Sequence, residues 1–374
     1  MERQTIVFIR SGTIENDSRL QKEVGVALKA GYTCVVLGWD RNRLYEETCS
    51  FKTPYGRAKV RYFSLRAHYG SGLANAGRII HFNRWIYKQL RAMEKDLTII
   101  HACDLDTALP TKWIAKKYKK RLIYDIYDYY VSSHTIPTKW GKALVAAIEN
   151  SVINAADCSL ICTEQRRDQI SKAKPKRLEV IYNSPDLSIL DQQRVSGRRK
   201  ERLKIVYVGI LQGDRLLLEV AEVIKGRNDM ELHIGGFGLY EEAFKDAGEN
   251  IFYYGRMAYK QVLELEKEAD ILFATYNPMI ENHRYSAPNK IYEAMALGKA
   301  IIVCKETIPE DLIKQIGLGI RYSGADFLEA AKQLKSADLR NELGKNGRAL
   351  YEKRYSWSLM EAKLLDIYEG SISQ

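Results

Sequence analysis

Residues 286–304 read SAPNKIYEAMALGKAIIVC. Pro288 suits the start of a helix, because its fixed φ is helical and its missing N–H is not needed there. Apolar residues then recur at helical spacing as far as Gly298, and glycine commonly follows the last turn of a helix. The apolar run 301–303 comes next and has the length of a buried strand. A helix that leads directly into such a strand is the repeating unit of a parallel sheet covered by helices.

The same alternation of short apolar runs and longer amphipathic stretches extends along the whole chain and forms two sets. In the first set the predicted strands are residues 5–9, 33–37, 97–101, 121–124, 158–162 and 180–182. In the second set they are residues 203–208, 231–234, 251–254, 271–274 and 300–304. The pattern predicts an α/β protein with two doubly wound parallel sheets.

A polar stretch separates the two sets. Residues 183–186 read NSPD, which is turn chemistry, and residues 190–202 carry many charges without an apolar period. We therefore expect an N-terminal domain over residues 1–185, a linker over 186–202 and a C-terminal domain over 203–355. Residues 355–357, YSW, mark a break before a last helix over 356–374.

Composition narrows the class of protein. The chain has 374 residues, six of them cysteines, and a formal net charge of +11. No apolar run approaches the roughly 18 residues of a membrane-spanning helix, and the first apolar run is too short for a secretory signal, so we expect a cytoplasmic protein. The cysteines are scattered, which favours neither a disulfide framework nor a metal site.

The positive charge is concentrated in the first half of the chain. Residues 1–200 hold 35 Lys and Arg against 20 Asp and Glu, whereas the remainder holds 23 against 27. Residues 51–96 hold ten basic and two acidic side chains. Such a field attracts an anionic partner. Residues 72–96 also have a helical apolar period, which fits either a helix lying on an anionic bilayer or one packed on the N-terminal sheet.

Ligands in doubly wound sheets bind outside the carboxyl ends of the strands, so the residues after each strand are candidates. After the first strand of the N-terminal set, Gly12 and Arg19 belong to a loop and helix start that could hold a phosphate, although a plain turn fits equally well. After the first strand of the second set come Gly209 and Arg215. Arg215 suits a forked contact with diphosphate oxygens, and a solvated helix-end arginine is the alternative.

Further candidates lie in the second set. Gly235 and Gly236 follow its second strand and allow close backbone approach to a ligand. The helix that starts after Pro288 offers free N–H groups and carries Lys290 in its first turn, which makes a local anion site. Glu293, one turn further, is placed to accept hydrogen bonds from a ribose diol.

Acidic side chains follow two strands of the N-terminal set. Asp104 comes after the strand 97–101, and Asp125 and Asp128 come after 121–124. They could orient an acceptor hydroxyl or the transferring group, or they could simply cap a helix or anchor a loop. His134 lies in a polar loop beyond them and is a further candidate, with a surface role as the alternative.

The chain resembles glycosyltransferase family 4, retaining enzymes of the GT-B fold that transfer a sugar from a nucleotide diphosphate donor. The resemblance extends over nearly the whole chain. It rests on the loop 11–19, the segment KAGY at 29–32, Tyr182-Asn183, the segment YVG at 207–209, Gly235-Gly236, Gly255, the segment PNKIYE at 288–293 and Gly298-Lys299.

The resemblance implies two Rossmann-like domains facing a central cleft, with a C-terminal helix that crosses back to the N-terminal domain. It also implies a donor site in the C-terminal domain, an acceptor site in the N-terminal domain, no catalytic metal and no cofactor besides the nucleotide-sugar substrate. Arg215 and Lys290 would hold the diphosphate, Pro288 and Asn289 would shape the helix start beside it, and Glu293 looks like the second glutamate of the family's E-x7-E motif.

Two positions depart from the family pattern. Tyr285 stands where the first glutamate of E-x7-E, which contacts the donor sugar, would be, and Glu281 and the backbone of Ser286 are the candidate substitutes. Ile210 stands where an arginine usually follows the first glycine of the second domain. Both departures concern recognition of the donor.

The sequence thus predicts a glycosyltransferase that uses a UDP- or GDP-linked sugar and a glycan or lipid-linked acceptor in polysaccharide or glycoconjugate biosynthesis. We expect peripheral contact with an anionic membrane at its cytosolic face and no nucleic-acid partner, because no nucleic-acid motif is present. A nucleotide-sugar epimerase of the same fold and a basic protein that binds anionic surfaces are the alternatives.

Overall fold

The computed structural model describes residues 4–42, 46–67, 76–190 and 202–370. They form two compact units, Met1–Tyr182 with Met360–Gln374 and Asn183–Leu359. Most of the predicted linker, residues 191–201, lies outside the described residues. Within the described residues, no helix combines the length and low charge needed to cross a membrane.

The first unit is built on an eight-stranded sheet with the order β3-β4-β2-β1-β5-β6-β7-β8. All neighbouring strands are parallel except β3 and β4, which pair as an antiparallel hairpin. The strands are β1 (Thr5–Arg10), β2 (Thr33–Asp40), β3 (Glu47–Thr53), β4 (Gly56–Ser64), β5 (Leu97–Cys103), β6 (Arg121–Ile126), β7 (Cys158–Ile161) and β8 (Leu178–Val180). The helices are α1 (Ser18–Lys29), α2 (Ala76–Ala92), α3 (Leu105–Tyr118), α4 (Tyr130–Ser133), α5 (Lys139–Ala155) and α6 (Arg166–Gln169).

The second unit has a six-stranded, all-parallel sheet with the order β11-β10-β9-β12-β13-β14. The strands are β9 (Leu203–Leu211), β10 (Met230–Gly238), β11 (Ile251–Tyr253), β12 (Ile271–Ala274), β13 (Ala300–Cys304) and β14 (Gly317–Ile320). The helices are α7 (Leu217–Ile224), α8 (Glu241–Lys245), α9 (Tyr259–Lys267), α10 (Asn289–Leu297), α11 (Glu310–Ile316), α12 (Gly324–Gln333) and α13 (Ala337–Leu350). Short 3-10 turns follow β9 at Gly213–Arg215 and β12 at Glu281–Arg284.

The predicted doubly wound order is present in both units, and each sheet has one switch point, where successive strands depart to opposite sides. It lies between β1 and β5 in the first sheet and between β9 and β12 in the second. The carboxyl ends of those strand pairs form the crevices in which such sheets bind ligands. The strands are apolar because helices cover both of their faces; every residue of Ala300–Cys304, for example, is buried.

Several elements differ from the prediction. The hairpin of β3 and β4 was missed, because its strands are half-exposed and alternate instead of forming a continuous apolar run. The pair α11 and β14 was also missed, since β14 reads GLGI and contains two glycines. Residues 164–172, whose pattern also predicts a helix, form only the single helical turn of α6.

Within the amphipathic stretch 72–96, Ala76–Ala92 form α2, and most of the apolar face of this helix is covered by the protein itself. Phe82, Trp85, Ile86 and Leu90 are all buried, and the Phe82 ring lies 5.1 Å from that of Trp39. Residues 68–75 lie outside the described residues. Most of the apolar side of this helix is therefore packed within the unit, as the alternative interpretation predicts, and its exposed residues include Ile80, Arg84, Lys88 and Arg91.

The chain returns to the first unit at its end. A π-helical turn at Tyr351–Tyr355 and the extended Ser356 precede α14 (Trp357–Glu369). From Met360 onward the helix packs on the first sheet, where Arg121 Nη1 donates to the Tyr368 carbonyl at 2.7 Å and Lys29 pairs with Glu361 at 2.6 Å.

Candidate active site

The switch point of the second sheet holds a compact charged cluster. Arg215 follows β9, and its Nη1 lies 3.0 Å from Asp214 Oδ2 and 2.9 Å from His283 Nε2. Its guanidinium also lies 3.8 Å above the ring of Tyr276, which follows β12. The Thr275 hydroxyl donates to the Arg215 carbonyl at 2.6 Å, which ties the two strand ends together. Arg215, which the sequence predicts to bind a diphosphate, is therefore held in place at the sheet edge where ligands bind.

Asp214 balances this cluster. Burial acts to raise the pKa of Asp214, but hydrogen bonding with His283 and the charge of Arg215 outweigh it and lower the pKa below its usual value. His283 is buried, and its Nδ1 lies 2.9 Å from the Asn277 carbonyl. The cluster thus fixes the direction of the guanidinium before any ligand is bound, which lowers the entropic cost of binding.

The N-terminus of α10 provides the second part of the site. Pro288 is its N-cap, and among the described residues no side chain caps the helix there. Its first N–H groups therefore suit an anion. Lys290 in the first turn is buried, with its Nζ 4.8 Å from the Tyr207 ring centre and 4.0 Å from Glu266 Oε1.

Two buried carboxyl groups lie behind this helix start. Glu293 is 2% exposed, and within the described residues no donor reaches its Oε2 or either oxygen of Glu266. Burial and the neighbouring Glu293 raise the pKa of Glu266 well above its usual value, and Lys290 opposes the shift. Tyr259 is hydrogen-bonded to Glu293, and burial together with that carboxylate raises the pKa of Tyr259. The two carboxyl groups therefore share one buried site, where the proton that Glu266 retains can bond to Glu293.

The glycines of the predicted donor site have a structural explanation in the sheet. Gly236 pairs with Gly209 across β10 and β9 and has a φ of +126°. A Cβ on Gly236 would lie 1.8 Å from the Gly209 carbonyl oxygen, and one on Gly235 would lie 2.6 Å from Met257 Sδ. Close packing against backbone at Gly236 and against side chains at Gly235 accounts for these two positions without any ligand.

The remaining predicted donor residues surround the 3-10 turn before α10. Glu281 is exposed, as is Asn289 at the helix start, whereas Tyr285 is half-buried. The Ser286 hydroxyl donates to the His283 carbonyl at 2.9 Å. The turn therefore connects the cluster around Arg215 to the helix that carries Lys290.

The first sheet has a similar charged cluster at its own switch point. Arg10 at the end of β1 pairs with Asp104 after β5 and, at 3.0 Å, with Asp17. Its guanidinium lies 4.1 Å above the Tyr127 ring. Asp104 Oδ1 accepts from the backbone N–H groups of Tyr127 at 2.9 Å and Asp128 at 3.3 Å.

Asp104 has two properties typical of residues at functional sites. Its φ is +59° with ψ of 167°, a conformation that costs a non-glycine residue about 1–3 kcal/mol. Burial raises the pKa of Asp104 to about 6, against the opposing charge of Arg10. The carboxyl group therefore changes its charge close to neutral pH at a strand end, the edge where ligands of such sheets bind.

Two predicted site residues instead pair with each other inside the first unit. Arg19 and Asp125 are buried and form two contacts, and Arg19 also pairs with Glu23 at 3.1 Å and donates to the Ile181 carbonyl at 2.5 Å. The assignments of Arg19 to the donor and of Asp125 to the acceptor do not fit this geometry, because neither side chain reaches the surface. Gly12 lies nearby, where its carbonyl accepts from Trp39 N at 3.0 Å.

Asp128 and His134 lie further along the same edge. Asp128 is half-exposed and pairs with Arg166 at 2.7 Å. His134 is exposed, and its ring stacks on Tyr130 with the ring centres 3.9 Å apart. These contacts give both residues structural roles and leave the His134 ring in reach of solvent.

Four buried side chains of the first unit offer ligand atoms within 4.8 Å of one another, namely Glu23, His101, Cys103 and Asp125. Arg19 already lies against two of them, so a guanidinium supplies the positive charge that a metal ion would bring. His101 Nδ1 lies 3.2 Å from the Tyr368 hydroxyl of α14. We interpret the group as a structural network.

Several of these residues were not found from the sequence. Asp214 and Tyr276 lie in the loops just after β9 and β12, so their place near strand ends is a signal that the sequence contains. His283 and Glu266 carry no such signal, because one lies in an irregular turn and the other in a helix of ordinary amphipathic pattern.

The second unit has a recognisable family signature. Residues 202–336 match the family model "Glycosyl transferases group 1". The matched region runs from β9 to the end of α12 and contains Arg215, Lys290 and Glu293. It therefore contains the whole charged cluster of the second switch point.

A curated relative from Corynebacterium glutamicum is a GDP-mannose-dependent monoacylated alpha-(1-6)-phosphatidylinositol monomannoside mannosyltransferase. It is 28% identical over 165 residues, which are 42% of this chain and 43% of the relative. The match thus spans less than half the length of that protein.

Solved structures agree over nearly the whole chain. Sucrose-phosphate synthase from Thermosynechococcus elongatus has a TM-score of 0.74 at 13% identity, covering 98% of this chain and 99% of its own. Anabaena HepE in complex with UDP and glucose has a TM-score of 0.69 at 10% identity, covering 99% and 100%. The predicted GT-B fold with two parallel-sheet α/β domains is confirmed.

Proposed function

We propose that the protein is a retaining glycosyltransferase that moves a sugar from a nucleotide diphosphate donor to a glycan or lipid-linked acceptor. The observation that carries this proposal is the buried Glu293, which lies one turn inside a helix start that no side chain of the described residues caps. A carboxylate one turn behind an anion-binding helix start suits the hydroxyls of a ribose.

The diphosphate of the donor is assigned to the positive groups around Glu293. Lys290 and the first N–H groups of α10 attract its oxygens, and the guanidinium of Arg215, fixed by Asp214, offers a forked contact. As the sugar leaves, negative charge grows on the terminal phosphate oxygen. These groups stabilise that charge, and the proposal needs no metal ion for this step.

The acceptor is assigned to the first unit, where Asp104 orients its hydroxyl. The acceptor oxygen forms a bond to the anomeric carbon on the face from which the phosphate departs, and the bond from that carbon to the phosphate oxygen breaks. The hydroxyl proton passes to the leaving phosphate. Asp104 fits the orienting role because its carboxyl group lies at a strand end and ionises near pH 6.

Two donor classes are favoured by the relatives. The relative from Corynebacterium glutamicum depends on GDP-mannose, and the Anabaena structure holds UDP and glucose. In this proposal the donor sugar contacts the turn that carries Tyr285, where the family has its first glutamate. This turn therefore decides which of the two donor classes is used. We place the reaction at the cytosolic face of a membrane, in polysaccharide or glycoconjugate biosynthesis.

A thermal-shift panel tests the donor assignment. The panel contains UDP, GDP, ADP and CMP, UDP-glucose, GDP-mannose and NAD, each with and without EDTA. A ligand at about 100 times its Kd stabilises the folded state by about 2.7 kcal/mol. We expect one nucleoside diphosphate and its sugar conjugate to raise the Tm, with no effect of EDTA.

Variants separate specific binding from general charge effects. Glu293→Gln should weaken nucleotide binding by about 1–3 kcal/mol, whereas Glu222→Gln on the exposed face of α7 should not. Unchanged affinity in Glu293→Gln would remove the ribose assignment. Conversion of the nucleotide sugar without any acceptor would instead identify an epimerase.

A further inference from the structure

The first half of α5 is apolar and lies open to solvent. Residues 139–148 read KWGKALVAAI, with two lysines and no acidic residue. Trp140 is 76% exposed and Leu144 is 46% exposed, and one turn of helix separates them. The buried residues of this helix, Glu149, Val152 and Ile153, all lie in its second half.

The topology places this half-helix at the ligand edge of the first sheet. Helix α5 joins β6 to β7, which are parallel neighbours, so it runs back from the carboxyl end of one strand to the amino end of the next. Its first half therefore lies toward the carboxyl ends of the strands. Asp104 lies at the same edge, after β5.

We propose that the first half of α5 docks on the surface of an anionic lipid bilayer. Trp140 and Leu144 enter the interfacial region, and Lys139 and Lys142 contact lipid headgroups. Tryptophan suits this depth because it has a large apolar body and a polar N–H, and lysine can bury its stem while its charge stays in water. The proposal deepens the proposed function, since docking here brings a lipid-linked acceptor to the edge that carries Asp104.

Charge complementarity favours a bilayer over a second copy of the chain. Helix α2 packs against α3 and α3 against α5, so the three helices form one layer. Its acidic side chains do not face outward freely, since Asp106 accepts from the Ser11 hydroxyl at 2.9 Å and Glu149 is buried. Exposed basic residues of the layer are Arg84, Lys88, Arg91, Lys116, Lys117, Lys139 and Lys142. Two such layers repel each other, whereas an anionic leaflet attracts one.

Flotation of the full chain with vesicles tests the proposal. Vesicles of phosphatidylcholine with phosphatidylglycerol should carry the protein upward at low salt, and phosphatidylcholine alone should carry much less. The double variant Trp140→Gln/Leu144→Gln should bind the vesicles at least about ten-fold more weakly than the unaltered protein. The reason is that two apolar side chains are no longer transferred from water into the bilayer. The double variant Lys139→Gln/Lys142→Gln should bind several-fold more weakly to anionic vesicles, and its binding to phosphatidylcholine alone should not change.

Leu239→Gln is the matched control, since Leu239 is 80% exposed in the second unit and should not alter flotation. Equal flotation of Trp140→Gln/Leu144→Gln and the unaltered protein, or no flotation at all, would overturn the proposal. A dimer in sedimentation that the same double variant makes monomeric would also overturn it and assign the face to a second copy.

Nucleotide binding measured without vesicles keeps the two proposals apart. If nucleotides still raise the Tm but the protein does not float with vesicles, only the docking proposal is rejected. Normal flotation without any nucleotide effect rejects the donor assignment alone. All variants replace exposed side chains, so their Tm without ligand should match that of the unaltered protein, which confirms that they fold.

Discussion

Arg19 holds Asp125 at two points, with Nε 2.9 Å from Oδ2 and Nη2 2.8 Å from Oδ1. Burial acts to raise the pKa of Asp125, but the charge of Arg19 and hydrogen bonding with His101 outweigh it and keep the carboxyl group ionised. The contact connects α1 to β6. It contributes to the stability of the first unit.

Arg19→Ala should therefore destabilise the protein by about 3–5 kcal/mol, because it leaves a buried carboxylate without its partner. Urea unfolding measures this change. Arg84→Ala, on the exposed face of α2, should stay within about 0.5 kcal/mol. Normal stability with lost nucleotide affinity in Arg19→Ala would restore its assignment to the donor.

Asp104 should give the transfer reaction an acidic limb near pH 6. Its pKa is raised to about 6 by burial, so its carboxylate form is lost as the pH falls below that value. We expect kcat/KM to rise with pH through this region. Asp104→Asn should remove the limb and lower the rate by about 10²- to 10⁴-fold. Asp96→Asn is the surface control and should keep the pH profile of the unaltered protein. The same unchanged pH profile of kcat/KM in Asp104→Asn would contradict the assignment.

Glu266 should make the protein less stable as the pH rises. Burial and Glu293 raise its pKa in the folded state, so its contribution is complete below the unfolded pKa and is lost as the pH rises toward the folded pKa. Glu266→Gln removes this proton, and its Tm should exceed that of the unaltered protein at pH 8 but not at pH 4. Glu222→Gln should follow the unaltered curve. Parallel curves for Glu266→Gln would mean that folding does not raise the pKa of Glu266.

Gly236→Ala should be strongly destabilising, because Gly236 has a positive φ and a Cβ there would clash with the Gly209 carbonyl oxygen. We expect a loss of more than about 1 kcal/mol in thermal unfolding. Gly77→Ala in α2 has open space around the added Cβ and should stabilise by about 0.5–1 kcal/mol. A tolerated Gly236→Ala would show that β9 and β10 can separate at this point.

Much of the fold was predictable because its signals are local. Asn289–Leu297 and Ala300–Cys304 are where the sequence predicts them, since a proline before the helix, a glycine after it and an apolar run define their ends. The hairpin of β3 and β4 has no comparable signal, because one face of each strand remains polar.

The candidate sites were predictable only in part. Lys290 and Glu293 could be selected because helical spacing puts them on one face near a helix start. Arg19 and Asp125 are separated by 106 positions, and nothing in either segment indicates that they meet. The same holds for α2, whose apolar stripe predicts a buried face without specifying whether protein or lipid covers it.

By itself, the sequence determined the α/β class, the doubly wound arrangement and the helix that carries Lys290 and Glu293, because these depend on periodicity and on residues close together in the chain. Only the tertiary structure decided which charges are neutralised inside, as Arg19 and Asp125 are, and which carboxyl groups share a buried site, as Glu266 and Glu293 do. It also decided that α2 is covered and that the first half of α5 is exposed. Burial and pairing depend on neighbours brought together from distant parts of the chain, and local patterns contain no information about them.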